Sequence, residues 1–172
     1  MIVCIDVDYK DNGAVAACII FENWGDQEPF EEFVVKIEEV AEYIPGQFYL
    51  RELPCLLAAL NKVKYPVDTI VIDGYVTLGS SAEPGLGEHL SKATDNKIPI
   101  IGVAKSAFKD TPAVNEVYRG ESRKPLYVTA KGLELETAKN NIKKMHGENR
   151  IPALLKYVDR LCRKPHTVRQ HI

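Results

Sequence analysis

Three carboxylates stand at points of the sequence where they could act together. Asp6 lies within the apolar stretch IVCIDVDY, Asp73 lies near the end of the stretch TIVIDGY, and Glu52 directly precedes the stretch LPCLLAALNKV. A carboxylate on an otherwise apolar strand is costly unless it is paired or binds a cation. Oxygen ligands suit Mg²⁺ or Mn²⁺, and two such ions about 3.5–4 Å apart can promote phosphodiester cleavage. The acids therefore predict a cation site, with Mg²⁺ expected and Mn²⁺ as an alternative.

Each of these residues also has an ordinary structural interpretation when it is taken alone. Asp73 at a strand end is typical of a turn or cap residue, and Glu52 in a first helical turn is favoured by the helix dipole. Lys105, at the end of IPIIGVAKS, would lie near the same sheet edge, where it would orient a water or neutralise a phosphate. Taken singly it is a typical surface lysine. Spacing alone does not decide between these interpretations.

The elements that would position these residues follow from the apolar pattern. IVCIDVDY, GAVAACIIFEN and FEEFVVKIEE predict three consecutive strands in an antiparallel meander. TIVIDGY and IPIIGVAKS predict buried parallel strands, connected by the helices LPCLLAALNKV and GLGEHLSKA. A late hairpin (VNEVYRG, PLYVTAKG) and two closing helices (LETAKNNIKKM, IPALLKYVDRLCRK) follow. This order is that of the ribonuclease H-like fold, a mixed sheet (antiparallel meander plus parallel strands) flanked by helices.

Length and composition favour an ordinary soluble protein. The 172 residues predict one domain spanning 1–172, with 45% hydrophobic and 27% charged residues. Acidic residues interrupt the first apolar run, so a secretory signal is not expected, and no apolar run approaches the roughly 18 residues of a membrane helix. The four cysteines include no C-x-x-C pair. We therefore expect a cytoplasmic protein without a zinc site, a disulfide framework or a membrane partner.

The charges are distributed unevenly along the chain. Residues 1–60 hold 3 Lys and Arg against 12 Asp and Glu, whereas residues 61–172 hold 19 against 12. Such asymmetry is a mild indication that the later half faces a polyanion. Basic helix surfaces without a partner explain it equally well.

Several segments, in the same order, resemble the endonuclease V family of nucleases, which recognise inosine or deaminated bases and cut nearby. IDVDY resembles that family's first-strand motif, and YIPGQFYLRE resembles its recognition loop. IVIDGYVTLG resembles the central-strand motif D-G-x-G, and IPIIGVAKS nearly repeats the segment I-G-V-A-K-S. The resemblance covers nearly the whole chain. It implies a Mg²⁺-dependent endonuclease acting on DNA or RNA, with inosine-containing strands as the candidate substrates.

The resemblance also implies roles for individual residues. Asp6, Glu52 and Asp73 would be the metal ligands, and Lys105 would act with them in catalysis near the scissile phosphate. Tyr43, Ile44 and Pro45 would form a wedge that inserts where a base leaves its stack, because a rigid aromatic ring can replace the lost stacking. Gly46 would allow the backbone to approach the nucleic acid closely.

The sequence departs from the family pattern at two histidines. Gly79 stands where the family usually has a histidine six residues after the central aspartate, and Leu133 stands at a second histidine position. His89 matches a different family histidine and is not expected to be catalytic. General acid–base help is typically worth about 10²–10⁴-fold, so these losses leave a slower enzyme as one expectation. A nucleic-acid-binding protein with weakened catalysis, or a scaffold without a nucleic-acid role, are the alternatives.

Overall fold

The first three strands pair as the antiparallel meander that the sequence predicts. This computed structural model describes residues 1–10 and 13–165. β1 (Ile2–Lys10), β2 (Gly13–Phe21) and β3 (Glu31–Ile37) lie side by side, with β2 in the middle. Every residue of β2 is buried, because helices cover both faces of this strand.

The later strands extend the sheet on the other side of β1. β4 (Thr69–Asp73) pairs with β1 in parallel, and β7 (Ile100–Ala104) pairs with β4 in parallel. β9 (Leu126–Lys131) and β8 (Glu116–Val117) add an antiparallel hairpin. The strand order is β3-β2-β1-β4-β7-β9-β8. The predicted ribonuclease H-like mixed sheet is confirmed.

Two pairs of helices cover the sheet. α1 (Tyr49–Leu60) and α2 (Leu86–Ala93) pack on one face, and α3 (Leu135–Lys144) and α4 (Ala153–Arg163) pack on the other. α1 begins five residues before Pro54, earlier than the apolar stretch alone indicates, so Glu52 lies within its first turn. All four cysteines are buried and free.

A small hairpin after β4 was not predicted. β5 (Thr77–Leu78) and β6 (Glu83–Pro84) pair with each other and form a separate two-stranded sheet. The strands are too short to leave a period-two apolar pattern in the sequence, which is the signal that identifies longer strands.

Within the described residues, no helix is both long and apolar enough to cross a membrane.

Arg119 fixes the connection between α3 and α4. It is buried, and its guanidinium donates hydrogen bonds to the main-chain oxygens of Met145 (2.6 Å), Gly147 (2.9 Å) and Asn149 (2.6 Å). Removing the side chain would leave these carbonyls without their charged donor. Arg119→Ala should therefore lower the free energy of unfolding by roughly 3 kcal/mol or more, measured by urea titration. The exposed Arg123→Ala is the control, and a loss below about 1 kcal/mol for Arg119→Ala would contradict this role.

Candidate active site

Asp6 and Asp73 lie next to each other at one end of the parallel strands. The parallel pairing of β1 and β4 runs to Ile5 opposite Ile72, and the two aspartates are the next residue on each strand. Cys4 and Val71, two residues earlier on the respective strands, belong to the core between the sheet and α4. Because side chains alternate along a strand, both carboxylates point toward the α4 face. The structure therefore brings together two of the three acids that the sequence marks as candidates.

Lys105 reaches the same end of the sheet from the neighbouring strand. β7 pairs with β4 in parallel, with Val103 opposite Asp73, and Lys105 follows two residues later on the same face. Its Nζ lies 2.8 Å from Asp73 Oδ2. Burial alone would lower the pKa of Lys105, but the hydrogen bond and charge of Asp73 raise it above its usual value. The lysine therefore carries a positive charge beside the two aspartates.

Glu52 approaches the aspartates from the opposite face of the sheet. It lies in the first turn of α1 and is only 6% exposed. Burial and the negative charges of Asp6 and Asp73 raise the pKa of its carboxyl to about 8. Glu52 therefore shares the electrostatic environment of both aspartates, although it belongs to a different layer.

Asp6, on β1, is likewise a buried carboxyl with a raised pKa. Its side chain is 7% exposed, and its Oδ1 accepts a hydrogen bond from the Val7 main-chain N–H at 2.8 Å. Burial, followed by the charge of Asp73, raises the pKa of Asp6 to about 7, and the charge of Lys105 opposes this rise only in part. A buried acid with such a pKa lacks enough nearby positive charge to offset its desolvation.

Asp159 on α4 is an acid of this region that the sequence analysis missed. Its negative charge raises the pKa of both Asp6 and Lys105, so it lies within electrostatic range of the site. Val158, the preceding residue, lines a small cavity of about 20 Å³ together with Asp6 and Asp73. In the sequence, Asp159 resembles any polar residue on an amphipathic helix, and only the packing of α4 on β1 reveals its position.

The acids do not lie close enough together to form an assembled metal site. Among residues 1–10 and 13–165, no three His, Cys, Asp or Glu side chains are grouped closely enough to hold a metal ion as they stand. The donor chemistry nevertheless fits a hard divalent cation, because every candidate ligand is a carboxylate oxygen. The raised pKa values of Asp6 and Glu52 show that the site lacks enough positive charge to balance its carboxylates, a lack that a cation would relieve. Holding an ion would require Glu52 and the aspartates to draw together.

A loop beside the acids presents apolar side chains to solvent. Residues 43–46, hereafter the wedge loop, form a turn in which the Gln47 N–H donates to the Ile44 oxygen at 3.0 Å. Tyr43 is 59% exposed and Ile44 is 44% exposed, while Gly46 takes a positive φ of 78° that favours glycine. Pro45, within the turn, is exposed as well. Exposed large apolar side chains on one turn indicate a contact surface.

A pocket lies between the wedge loop and the acids. Its volume is about 270 Å³, and we call it the aromatic pocket. Its lining includes Gly46, Phe48, Tyr49, Asp73, Tyr75 and Phe108. Asp73 therefore lines the aromatic pocket and also lies next to Asp6, so a flat ligand in that pocket would lie beside the carboxylates.

The two positions without histidine have local structural roles. Gly79 takes a φ of 64° in the turn between β5 and β6, and a Cβ there would lie 3.1 Å from the Lys109 main-chain oxygen. Histidine at this position would be strained. Leu133 packs against the core on the α3 and α4 face. His89 stacks on Tyr49, which lines the aromatic pocket, with the ring centroids 3.6 Å apart, so His89 supports the wall of that pocket. Burial lowers the pKa of His89.

Comparisons with known proteins identify a family of similar proteins. The endonuclease V family model matches residues 1–145. Endonuclease V of Thermococcus kodakarensis is 31% identical over 163 residues, covering 92% of this chain and 76% of the relative. Among solved structures, endonuclease V of Streptomyces avermitilis has a TM-score of 0.67 at 26% identity, covering 94% of this chain and 79% of the other.

A second solved structure contains nucleic acid. It is a variant of Ciona intestinalis endonuclease V in complex with a 23mer DNA containing an inosine followed by a ribo-adenosine. The TM-score is 0.76 at 20% identity, and the match covers 94% of this chain and 83% of the other. The family-model match over residues 1–145 and the 31% identical relative show that the chain belongs to the endonuclease V family and is a nuclease that acts on nucleic acid.

Proposed function

We propose that this protein is a metal-dependent endonuclease that cleaves a phosphodiester bond near inosine or another deaminated base in DNA or RNA. The observation that carries the proposal is the shared position of Asp73. Asp73 lines a small cavity together with Asp6, and it also lines the aromatic pocket. A base held in the pocket would bring its own strand past the carboxylates. The Ciona intestinalis relative bound to inosine-containing DNA supports the choice of base.

The acids are the proposed ligands of the metal. Asp6, Glu52 and Asp73 would hold Mg²⁺, with Mn²⁺ as a substitute, and Asp159 would add negative charge from α4. A divalent cation so bound would supply Lewis-acid activation of the phosphate and of the attacking water. The raised pKa values of Asp6 and Glu52 in the metal-free protein support this assignment, because unpaired buried carboxylates are costly.

Lys105 is the proposed contact to the scissile phosphate. Its amine is positively charged and lies 2.8 Å from Asp73, so it stands at the junction of the acids and the pocket. Charge on the phosphate oxygens increases as the bond to the leaving group breaks, and a nearby ammonium stabilises that charge. With Gly79 and Leu133 at the histidine positions, Lys105 is the cation that we assign to this role.

The wedge loop is the proposed device for extruding the base. Tyr43 and Ile44 would occupy the gap that the base leaves in its stack, while Pro45 and Gly46 hold the turn in shape and allow close approach. The displaced base would enter the aromatic pocket. Unstacking costs a few kcal/mol, and stacking on Tyr43 and in the pocket would offset that cost.

Tyr43→Ala should weaken binding of an inosine-containing single strand by roughly 5- to 100-fold, because base stacking on an aromatic ring contributes about 1–3 kcal/mol. Tyr43→Phe keeps the ring and should bind like the unmodified protein. Fluorescence anisotropy with a labelled oligonucleotide measures both variants. Equal binding by Tyr43→Ala and Tyr43→Phe would contradict the wedge.

Base selectivity tests the proposed function. Labelled DNA and RNA strands with a single inosine, and matched strands with guanosine in its place, are incubated with the protein and Mg²⁺, and the products are mapped. We expect cuts near the inosine and none in the guanosine strands. Binding to the inosine strand without cuts would instead indicate a nucleic-acid-binding protein with lost catalysis. Absence of both binding and cuts would refute the proposal.

A further inference from the structure

Tyr75 links the end of β4 to the segment that follows β7. Its hydroxyl donates to the Ser106 main-chain oxygen at 2.7 Å and accepts from the Phe108 main-chain N–H at 3.0 Å. Residues 105–108, hereafter the Lys105 loop, begin at the lysine whose Nζ contacts Asp73. The loop is thus held at two points by residues that lie two positions apart on the chain, Asp73 and Tyr75.

Phe108 occupies the other end of the Lys105 loop and faces the aromatic pocket. The residue is 46% exposed, and its ring packs edge-on against the Tyr75 ring, with the centroids 6.3 Å apart. The loop therefore carries a charged group at one end and an exposed aromatic ring at the other. Lys105 faces the acids, and Phe108 offers an aromatic surface to a nucleobase.

We propose that the Tyr75 hydroxyl is a positioning group that couples a base held against Phe108 in the aromatic pocket to Lys105. This inference rests on the proposed function and deepens it. A base stacked on Phe108 stabilises one conformation of the Lys105 loop, and the two hydrogen bonds of Tyr75 transmit that conformation to Ser106 and so to Lys105. Base recognition and the phosphate contact then depend on the same short segment.

The hydroxyl is suited to a functional rather than a stabilising role. Both of its hydrogen bonds are exposed, so solvent can replace them and their loss costs the fold little. The same loss frees the loop between Lys105 and Phe108. A change in activity with unchanged stability is therefore the expected signature of this group.

Tyr75→Phe removes the hydroxyl and keeps the ring against Phe108. We expect the single-turnover cleavage rate on an inosine strand to fall about tenfold, with strand affinity changed less than about threefold and the melting temperature unchanged. The matched control is Tyr118→Phe, which removes an exposed hydroxyl bonded to Glu116 at 2.9 Å and should cut at the unmodified rate. Cleavage by Tyr75→Phe at the unmodified rate would overturn the positioning role.

Phe108→Ala tests the stacking surface separately. It should weaken binding of the inosine strand roughly 5- to 100-fold, and should not weaken binding of a strand with an abasic residue at that position. Equal loss for both strands would overturn the assignment of Phe108 to the base. Failure of the unmodified protein to bind or cut the inosine strand would refute the proposed function itself, and the roles of Tyr75 and Phe108 would fall with it.

Discussion

Asp6→Asn should reduce cleavage of an inosine-containing strand at least about 10³-fold, since a metal ligand supports several kcal/mol of transition-state stabilisation. Asp6 is buried beside Asp73, and burial raises its pKa to about 7. Asparagine preserves the shape of the side chain and removes the charge that would attract the cation. The loss should therefore appear in the single-turnover rate with the fold intact.

A matched control separates this effect from the effect of replacing an aspartate on the surface. Asp95→Asn removes a carboxylate whose side chain is 77% exposed and pairs with Lys97 at 3.2 Å. Asp95 also has a φ of 57°, which asparagine tolerates well. This variant should cut at the unmodified rate. If Asp6→Asn cut as fast as Asp95→Asn, Asp6 would have no part in catalysis.

The metal-free protein should lose stability as the pH rises from about 4 to about 8. Asp6 and Glu52 have folded-state pKa values of about 7 and about 8, against ordinary values of 3.8 and 4.5. A raised carboxyl pKa means that the folded state binds the proton more tightly than the unfolded chain, so its contribution to stability is fully present below the ordinary value. That contribution is lost as the pH passes through the folded-state values. Urea unfolding at several pH values in EDTA measures the slope.

Asp6→Asn and added Mg²⁺ should each reduce this loss. The variant removes one of the two carboxyls, so at pH 8 it should be more stable than the unmodified metal-free protein by roughly 1–4 kcal/mol. Mg²⁺ that binds only the folded state at 100 times its dissociation constant would add about 2.7 kcal/mol. A free energy of unfolding that rises between pH 5 and pH 8 in EDTA would contradict the raised pKa values of Asp6 and Glu52.

The strands and the placement of two acids were accessible from the sequence for a physical reason. β1, β2, β4 and β7 are largely buried, so their residues form short apolar runs that are typical of strands covered on both faces. Asp6 and Asp73 interrupt or end those runs, which marks them as candidates, and the parallel pairing of β1 with β4 brings them together. The main fold and the choice of these two acids therefore followed from the apolar pattern, whereas the strand register that unites them came only with the structure.

Other parts of the site depend on packing that the sequence does not encode locally. Asp159 is one polar residue among several on α4, and its approach to Asp6 follows from how that helix packs on the sheet. The aromatic pocket joins residues from four separate segments, among them Tyr49, Tyr75 and Phe108. The loss of a histidine at position 79 was visible in the sequence, but the backbone conformation that disfavours it was not.

Metal dependence of cleavage is the most direct test of the account. The single-turnover rate on a strand with one inosine would be measured in Mg²⁺, in Mn²⁺ and in EDTA. We predict cuts near the inosine with either ion, and none in EDTA. Cleavage that continues unchanged in EDTA would contradict the assignment of Asp6, Glu52 and Asp73 as the ligands of a catalytic cation.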